Sequence, residues 1–225
     1  MTALTLSSRL VIGVFAAIMV ITVVAVVSDL VAVSFLLDAA EGQAVDSATA
    51  YEIDQRQSII GYVQVGLNLL SAVLFLVWFY HSEKHLKTMG VSYLNYSPTW
   101  AVGGFFVPLL NLVRPYQVMA EVWAGSRYAS TPEERRAWSE TPFWSFVGAW
   151  WVLFWLMRVL GSWANSMLTS AYSIGELIDA MWVVTAADFI VIPAAAVTLA
   201  LVRRITRLQE EAEAYWHPAQ ALQPA

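Results

Sequence analysis

Four apolar runs recur along the chain, at residues 10–37, 58–80, 143–163 and 178–202. A helix needs roughly 20 mostly apolar residues to cross a hydrocarbon core about 30 Å thick, and each run meets or nearly meets that length. Ser28, Asp29 and Ser34 interrupt the first run without ending it. A secretory signal has an apolar core of about 7–15 residues followed by small residues at a cleavage site. The first run instead continues through Leu37 and is expected to stay as an anchor. The pattern predicts an all-α integral membrane protein with four transmembrane helices and short amphipathic helices between them.

Capping residues set several expected boundaries. Thr141 before Pro142 offers an N-cap hydroxyl and a residue preset for the first helical turn, so the third span is expected to begin there. Thr131, Pro132 and Glu134 repeat the arrangement with a capping-box acid, which predicts a short helix over about 132–139. Beyond Val202 the strong helix formers of 203–216 are expected to carry the fourth helix out of the membrane. Residues 217–225, with Pro218 and Pro224, are expected to fray into a flexible tail. The economical organisation is one membrane domain over residues 1–216.

Residues 100–126, WAVGGFFVPLLNLVRPYQVMAEVWAGS, differ from a plain connection. The apolar part stops at Arg114, too short to cross, and Gly103, Gly104 and Pro108 weaken helix within it. A re-entrant or interfacial element is expected, lying against the bundle because irregular backbone at membrane depth needs protein or water around it. Pro115 then opens a helix with Val118, Met119, Val122 and Trp123 on one face and Gln117 and Glu121 on the other, stopping at Gly125.

Charge adds an orientation. With both termini inside, the external segments 38–57 and 164–177 hold only Arg56, whereas the internal ones hold Arg9, Lys84, Lys87, Arg114, Arg127, Arg135, Arg136, Arg203, Arg204 and Arg207. The positive-inside rule therefore puts both termini in the cytoplasm, with the chain in the cell membrane. Trp78, Phe79 and Tyr80 at an inner end and Trp163 at an outer end stand where interfacial aromatic belts are expected. Hydrophobic residues make up 59% of the chain and charged residues 13%, leaving no room for a second soluble domain. A net charge of −5 without a basic block excludes nucleic acid as a partner, and the lack of cysteine excludes thiolate metal sites and disulfides. The expected partners are the lipid bilayer and either another membrane protein or a second copy of the chain.

Three embedded charges, Asp29, Arg158 and Asp188, fall at similar depth in the outer half of the membrane. Mutual pairing spares each the cost of facing lipid alone. The cluster is either a structural ion pair or the lining of a cavity. His81 and His85, one helical turn apart with Glu83 between them, form at most two-thirds of a metal site and read as a solvated helix end. Glu133, Glu134, Arg135 and Arg136 pair among themselves on the short helix. The Trp residues of the third span, Trp144, Trp150, Trp151 and Trp155, read as packing, and no histidine lies within a span to hold a haem. No nucleophile has a general base beside it and no phosphate loop appears, so no cofactor and no enzymatic activity are expected.

Trp100, Gly104, Phe106, Pro108, Asn111, Pro115, Tyr116, Glu121, Trp123 and Ser126 together resemble the signature of the bacterial domain of unknown function 4328 membrane-protein family. Phe105 stands near where such proteins commonly carry Trp. The resemblance implies a small multi-pass membrane protein and brings no activity with it. The function expected is that of a non-enzymatic structural, assembly or regulatory partner within the membrane. The alternative is a small oligomeric transporter or channel using Asp29, Arg158, Asp188 and residues 100–126.

Overall fold

The computed structural model describes residues 2–91, 94–128 and 146–220, the side chains of Tyr128 and of residues 215–220 aside. All described secondary structure is helical: α1 (Ala3–Ala40), α2 (Ser47–Thr88), α3 (Pro98–Gly103), a 3-10 turn (Leu110–Leu112), α4 (Arg114–Tyr128), α5 (Phe146–Ser170) and α6 (Ile174–Gln220). Four of these, α1, α2, α5 and α6, are long and apolar enough to cross a membrane, which makes the chain a multi-pass membrane protein. The expected helix at 132–139, the charge pairs on it and the capped start at Thr141 lie outside the described residues.

The long helices outrun the apolar runs because their ends are capped beyond them. Asp46, just before α2, accepts hydrogen bonds from the Ala48 and Thr49 amides at 3.3 and 3.2 Å and from the Thr49 hydroxyl at 2.7 Å. Those donors, the Thr49 hydroxyl foremost, hold the Asp46 carboxyl below its ordinary range. Ser173 and Glu176 form a reciprocal box ahead of α6: the Glu176 amide donates to Ser173 Oγ at 3.3 Å, and Glu176 Oε2 accepts from the Ser173 amide at 3.2 Å. Two helix ends turn on glycines with positive φ, Gly42 at 86° and Gly90 at 80°. At each, the following residue donates back five positions, Gln43 to Asp38 at 3.1 Å and Val91 to Leu86 at 3.2 Å, closing a Schellman motif. The connection between the first two spans therefore shrinks from the expected 38–57 to residues 41–46.

Burial within the helices follows a seven-residue repeat. On α1 the buried residues Leu4, Val11, Ile18, Ala25 and Ala32 stand seven apart. On α6 the same spacing runs through Ala180, Ala187, Ala194, Leu201 and Leu208. A sustained seven-residue repeat places one narrow stripe of each helix against its neighbours and leaves the rest of the surface outside. Val20, Tyr62, Leu69, Val159 and Phe189 lie on those outer faces, between 60 and 79% exposed, as side chains solvated by lipid would be.

The chain packs as two compact units, Met1–Gly13 with Ser71–Trp151 and Val197–Ala225, and Val14–Leu70 with Val152–Ala196. In the first, Phe75 stacks on Trp150 and meets Phe105 edge-on, with Val118, Met119, Val122 and Ile205 buried around them. A polar latch runs through this core. Gln209 Nε2, fully buried, donates to the hydroxyls of Ser82 at 2.9 Å and Ser126 at 2.8 Å, tying α6 to α2 and α4. Trp78 Nε1 donates to Thr206 Oγ1 at 3.0 Å. Trp78 and Phe79 are therefore wholly inside the protein and not part of an interfacial belt, because the indole finds its acceptor on α6.

Residues 98–128 form a helical hairpin within that unit, α3 and α4 joined by turns. The expected stop at Gly125 does not occur: α4 continues to Tyr128, and Gly125 instead lets Leu86 approach, since a Cβ there would sit 3.0 Å from Leu86 Cδ1. Gly104 has a similar part, with a Cβ position 3.0 Å from Arg114 Cβ and 3.0 Å from the Trp100 carbonyl, whereas Gly103 faces open space. Gly104→Ala should therefore lower stability by about 1–3 kcal/mol through overpacking. Gly103→Ala, at a helical position with room, should be neutral or stabilising by up to about 1 kcal/mol. Thermal unfolding of the two variants in detergent checks this, and equal effects would mean the hairpin is not tightly seated.

Candidate functional site

The hairpin holds every residue of the sequence signature. Arg114, at its base, places its guanidinium 4.8 Å from the centre of the Tyr96 ring and 5.6 Å from that of Trp100. Its Nη1 donates to Gln117 Oε1 at 3.2 Å, and the Tyr96 hydroxyl donates to the same oxygen at 3.0 Å. Glu121, expected on the face of α4 opposite Val118, Met119 and Val122, is enclosed as they are. It is buried and accepts from the Asn95 amide at 3.2 Å, the Asn95 side chain at 2.7 Å and the Tyr96 amide at 3.3 Å. The connection through residues 94–97 covers it, and those donors supply what water would have supplied. Hydrogen bonds to a charged group are worth about 1.5–3 kcal/mol each, so Glu121 fixes that connection on α4. Pro115 is buried beside Gly104, Tyr116 is half-buried, and Pro108 lies exposed at the tip. The Asn111 backbone donates to the Val107 carbonyl at 2.9 Å, while its Oδ1 is enclosed without a donor among the described residues.

The tip itself inverts the expectation that the stretch hides from lipid. Phe105 packs on Phe75 and Phe79, but Phe106, Val107, Leu109, Leu112 and Val113 are exposed. The amides of Phe105, Phe106, Leu110, Asn111, Leu112 and Val113 all donate to carbonyls two to four residues back. Local turns thus pair these six amides without burying them, which frees the apolar side chains to face outward. Leu109, 80% exposed, takes a φ of 64°, a left-handed conformation that costs a residue with a Cβ about 1–3 kcal/mol.

The second unit carries the other concentration of polar groups. Asp29 on α1 and Asp188 on α6 line one cavity of about 580 Å³, together with Asp54, Gln57 and Gln64 on α2. Gln57 Nε2 donates to Asp29 Oδ1 at 3.0 Å, and Gln64 Nε2 to Asp188 Oδ2 at 3.1 Å. Asp29 is 3% exposed, and its Oδ2 has no donor among the described residues. Ala25 and Ala32, successive seam positions of α1, form part of the wall, so the room comes from alanines where the other unit's seam carries Val11 and Leu4.

Arg158 does not join the two carboxylates. It is exposed and makes no ion pair with either. A long cationic side chain there reaches outward along the helix surface. The amides that take its place, Gln57 and Gln64, stand seven residues apart in the second helix, a spacing visible in the sequence that puts both on one face. Near the end of α2, His85 Nε2 lies 3.6 Å from Glu213 Oε2, and buried Glu83 has Lys87 at 3.7 Å. Among the described residues no group of three or more His, Cys, Asp or Glu side chains is arranged to hold a metal ion.

Residues 41–207 match the model of the Domain of unknown function (DUF4328), and the chain belongs to that family. No curated protein and no solved structure matches the chain.

The corrected pairing has a direct test. Arg158→Leu should leave stability within about 0.5 kcal/mol of the parent, as for an exposed side chain with no partner among the described residues. Gln57→Leu, which strips Asp29 of its donor, should cost about 1–3 kcal/mol. Chemical denaturation in a mild detergent measures both, and a larger loss for Arg158→Leu than for Gln57→Leu would restore the ion pair.

Proposed function

We propose that this family member is a non-enzymatic assembly or regulatory partner of another membrane protein, engaging it through the tip of the α3–α4 hairpin. The observation that carries the reading is the exposed apolar ridge of Phe106, Leu109, Leu112 and Val113. The base beneath it is held by Arg114, Glu121 and Gln209. Folding alone does not call for a strained leucine at the tip: glycine would adopt the same φ without penalty. A side chain kept there against its backbone preference serves contact with something else. A membrane-embedded helix fits such a ridge, because its side chains offer the same apolar chemistry as lipid together with a fixed surface for close packing. The ten-to-one bias of basic residues supports both termini, and the hairpin with them, on the cytoplasmic side.

A second reading, a small oligomeric transporter or channel, has the cavity of Asp29 and Asp188 as its supporting observation. It requires flux through reconstituted liposomes, whereas the first requires none.

Photo-crosslinking in native membranes separates tip contacts from general lipid exposure. A photoreactive residue at Phe106 or Leu109 should give a discrete protein adduct, and one at Val20 or Val159 should not. Leu109→Gly should leave the protein as stable as the parent or more so, yet reduce adduct formation from Phe106. Adducts with lipid alone at all four positions would reduce the hairpin to an anchor and overturn the reading.

A further inference from the structure

We infer that the second unit binds a lipophilic organic cation, with its positive centre against Asp29 and Asp188 and its apolar body on the surrounding cavity wall. The inference is one of binding, and it stands apart from the hairpin and its partner.

Three properties of the cavity point to this class. The first is unspent negative charge. Gln57 and Gln64 each satisfy one oxygen of a carboxylate, and Oδ2 of Asp29, on a side chain 97% enclosed, is left without a donor among the described residues. A carboxylate withdrawn from water without a full set of donors is strongly destabilising, and a cation set beside it repays that loss.

The second property is the lack of a built-in cation among the described residues. Arg158 points away. Arg56, the nearest basic residue along α2, donates its Nε to Ser28 Oγ at 2.8 Å and forms no ion pair with Asp29 or Asp188. It is not among the residues lining the cavity.

The third is size and lining. About 580 Å³ falls within the range of sites for small organic molecules, roughly 300–1,000 Å³, and far exceeds what a bare ion occupies. Most of the wall is apolar, including Phe35, Leu36, Ile60, Met181 and Val184. An inorganic cation gains nothing from such a surface, and the three lining acids, Asp29, Asp54 and Asp188, are not arranged among the described residues to hold a metal ion, where hard divalent ions take six or more oxygens. An anion is repelled by all three acids. A neutral apolar molecule leaves the carboxylates unanswered. An organic cation with an apolar body answers both the acids and the wall.

The probe is radiolabelled tetraphenylphosphonium, with the full-length protein in lipid nanodiscs and protein-free discs to subtract partition into lipid. Saturable binding is expected. Asp29→Asn and Asp188→Asn should each weaken it at least about tenfold, as loss of a buried charge partner does. Arg158→Gln should leave it unchanged. Tetraphenylborate, closely similar in size and opposite in charge, should not compete. Should the Asp variants fail to fold, thermal unfolding of the unaltered protein remains decisive. Tetraphenylphosphonium should raise its midpoint in a dose-dependent way, and tetraphenylborate should not. Binding no greater than in protein-free discs, equal competition by tetraphenylborate, affinity unchanged in both Asn variants, or an unmoved midpoint would each overturn the inference.

Discussion

Hydrocarbon offers no hydrogen bonds, and that one property of the solvent governs the molecule at every level. Backbone groups must be paired within the chain, hence four uninterrupted helices of 25 to 47 residues. Side chains need not be apolar inside and polar outside, hence valines, leucines and phenylalanines on the outer faces while Ser, Thr, Gln, Asp and Glu collect on the inner ones. The buried latch of Gln209, Ser82 and Ser126 illustrates the consequence. In a soluble domain those groups have water as an alternative partner, and here the alternative is an unsatisfied amide. Lipid also tolerates the hairpin, provided local turns pair its amides as they do at Phe105, Phe106 and Leu110 to Val113.

The spans were legible in the sequence because apolar length alone reports them. Their true ends were less so: Asp46 and the Ser173–Glu176 box extend α2 and α6 beyond the apolar runs, and such caps are weak signals beside a run of twenty hydrophobic residues. The hairpin was recognised as irregular from Gly103, Gly104 and Pro108, and its second helix from Pro115. Glu121 was misplaced because its burial depends on donors from residues 95 and 96, whose position over α4 is a tertiary fact. Trp78 was misplaced for a like reason, its acceptor being Thr206 on a helix more than a hundred residues away.

The embedded charges show the same limit. Position along a helix sets the expected depth, and on that ground Asp29, Arg158 and Asp188 read as level. Depth leaves the direction around the helix open, and Arg158 stands exposed on α5 while the carboxylates face α2. Two glutamines meet them there, one heptad apart. A seam read at seven-residue intervals contains this information: Ala25, Ala32 and Asp29 fall on the buried stripe of α1, and Gln57 and Gln64 share one face of α2. The hairpin and the cavity then divide the chain's uncommitted chemistry between them, an apolar surface in one unit and an acidic recess in the other.

All of this rests on the outer faces meeting lipid, and collision measurements on spin labels test that directly. Labels at Val20, Leu69, Val159 and Phe189 in reconstituted bilayers are predicted to collide freely with oxygen and hardly at all with a water-soluble nickel chelate. A label at Gln43, in the connection between α1 and α2, should show the reverse. Nickel accessibility at the four apolar positions equal to that at Gln43 would contradict the account, because those faces would then be bathed in water.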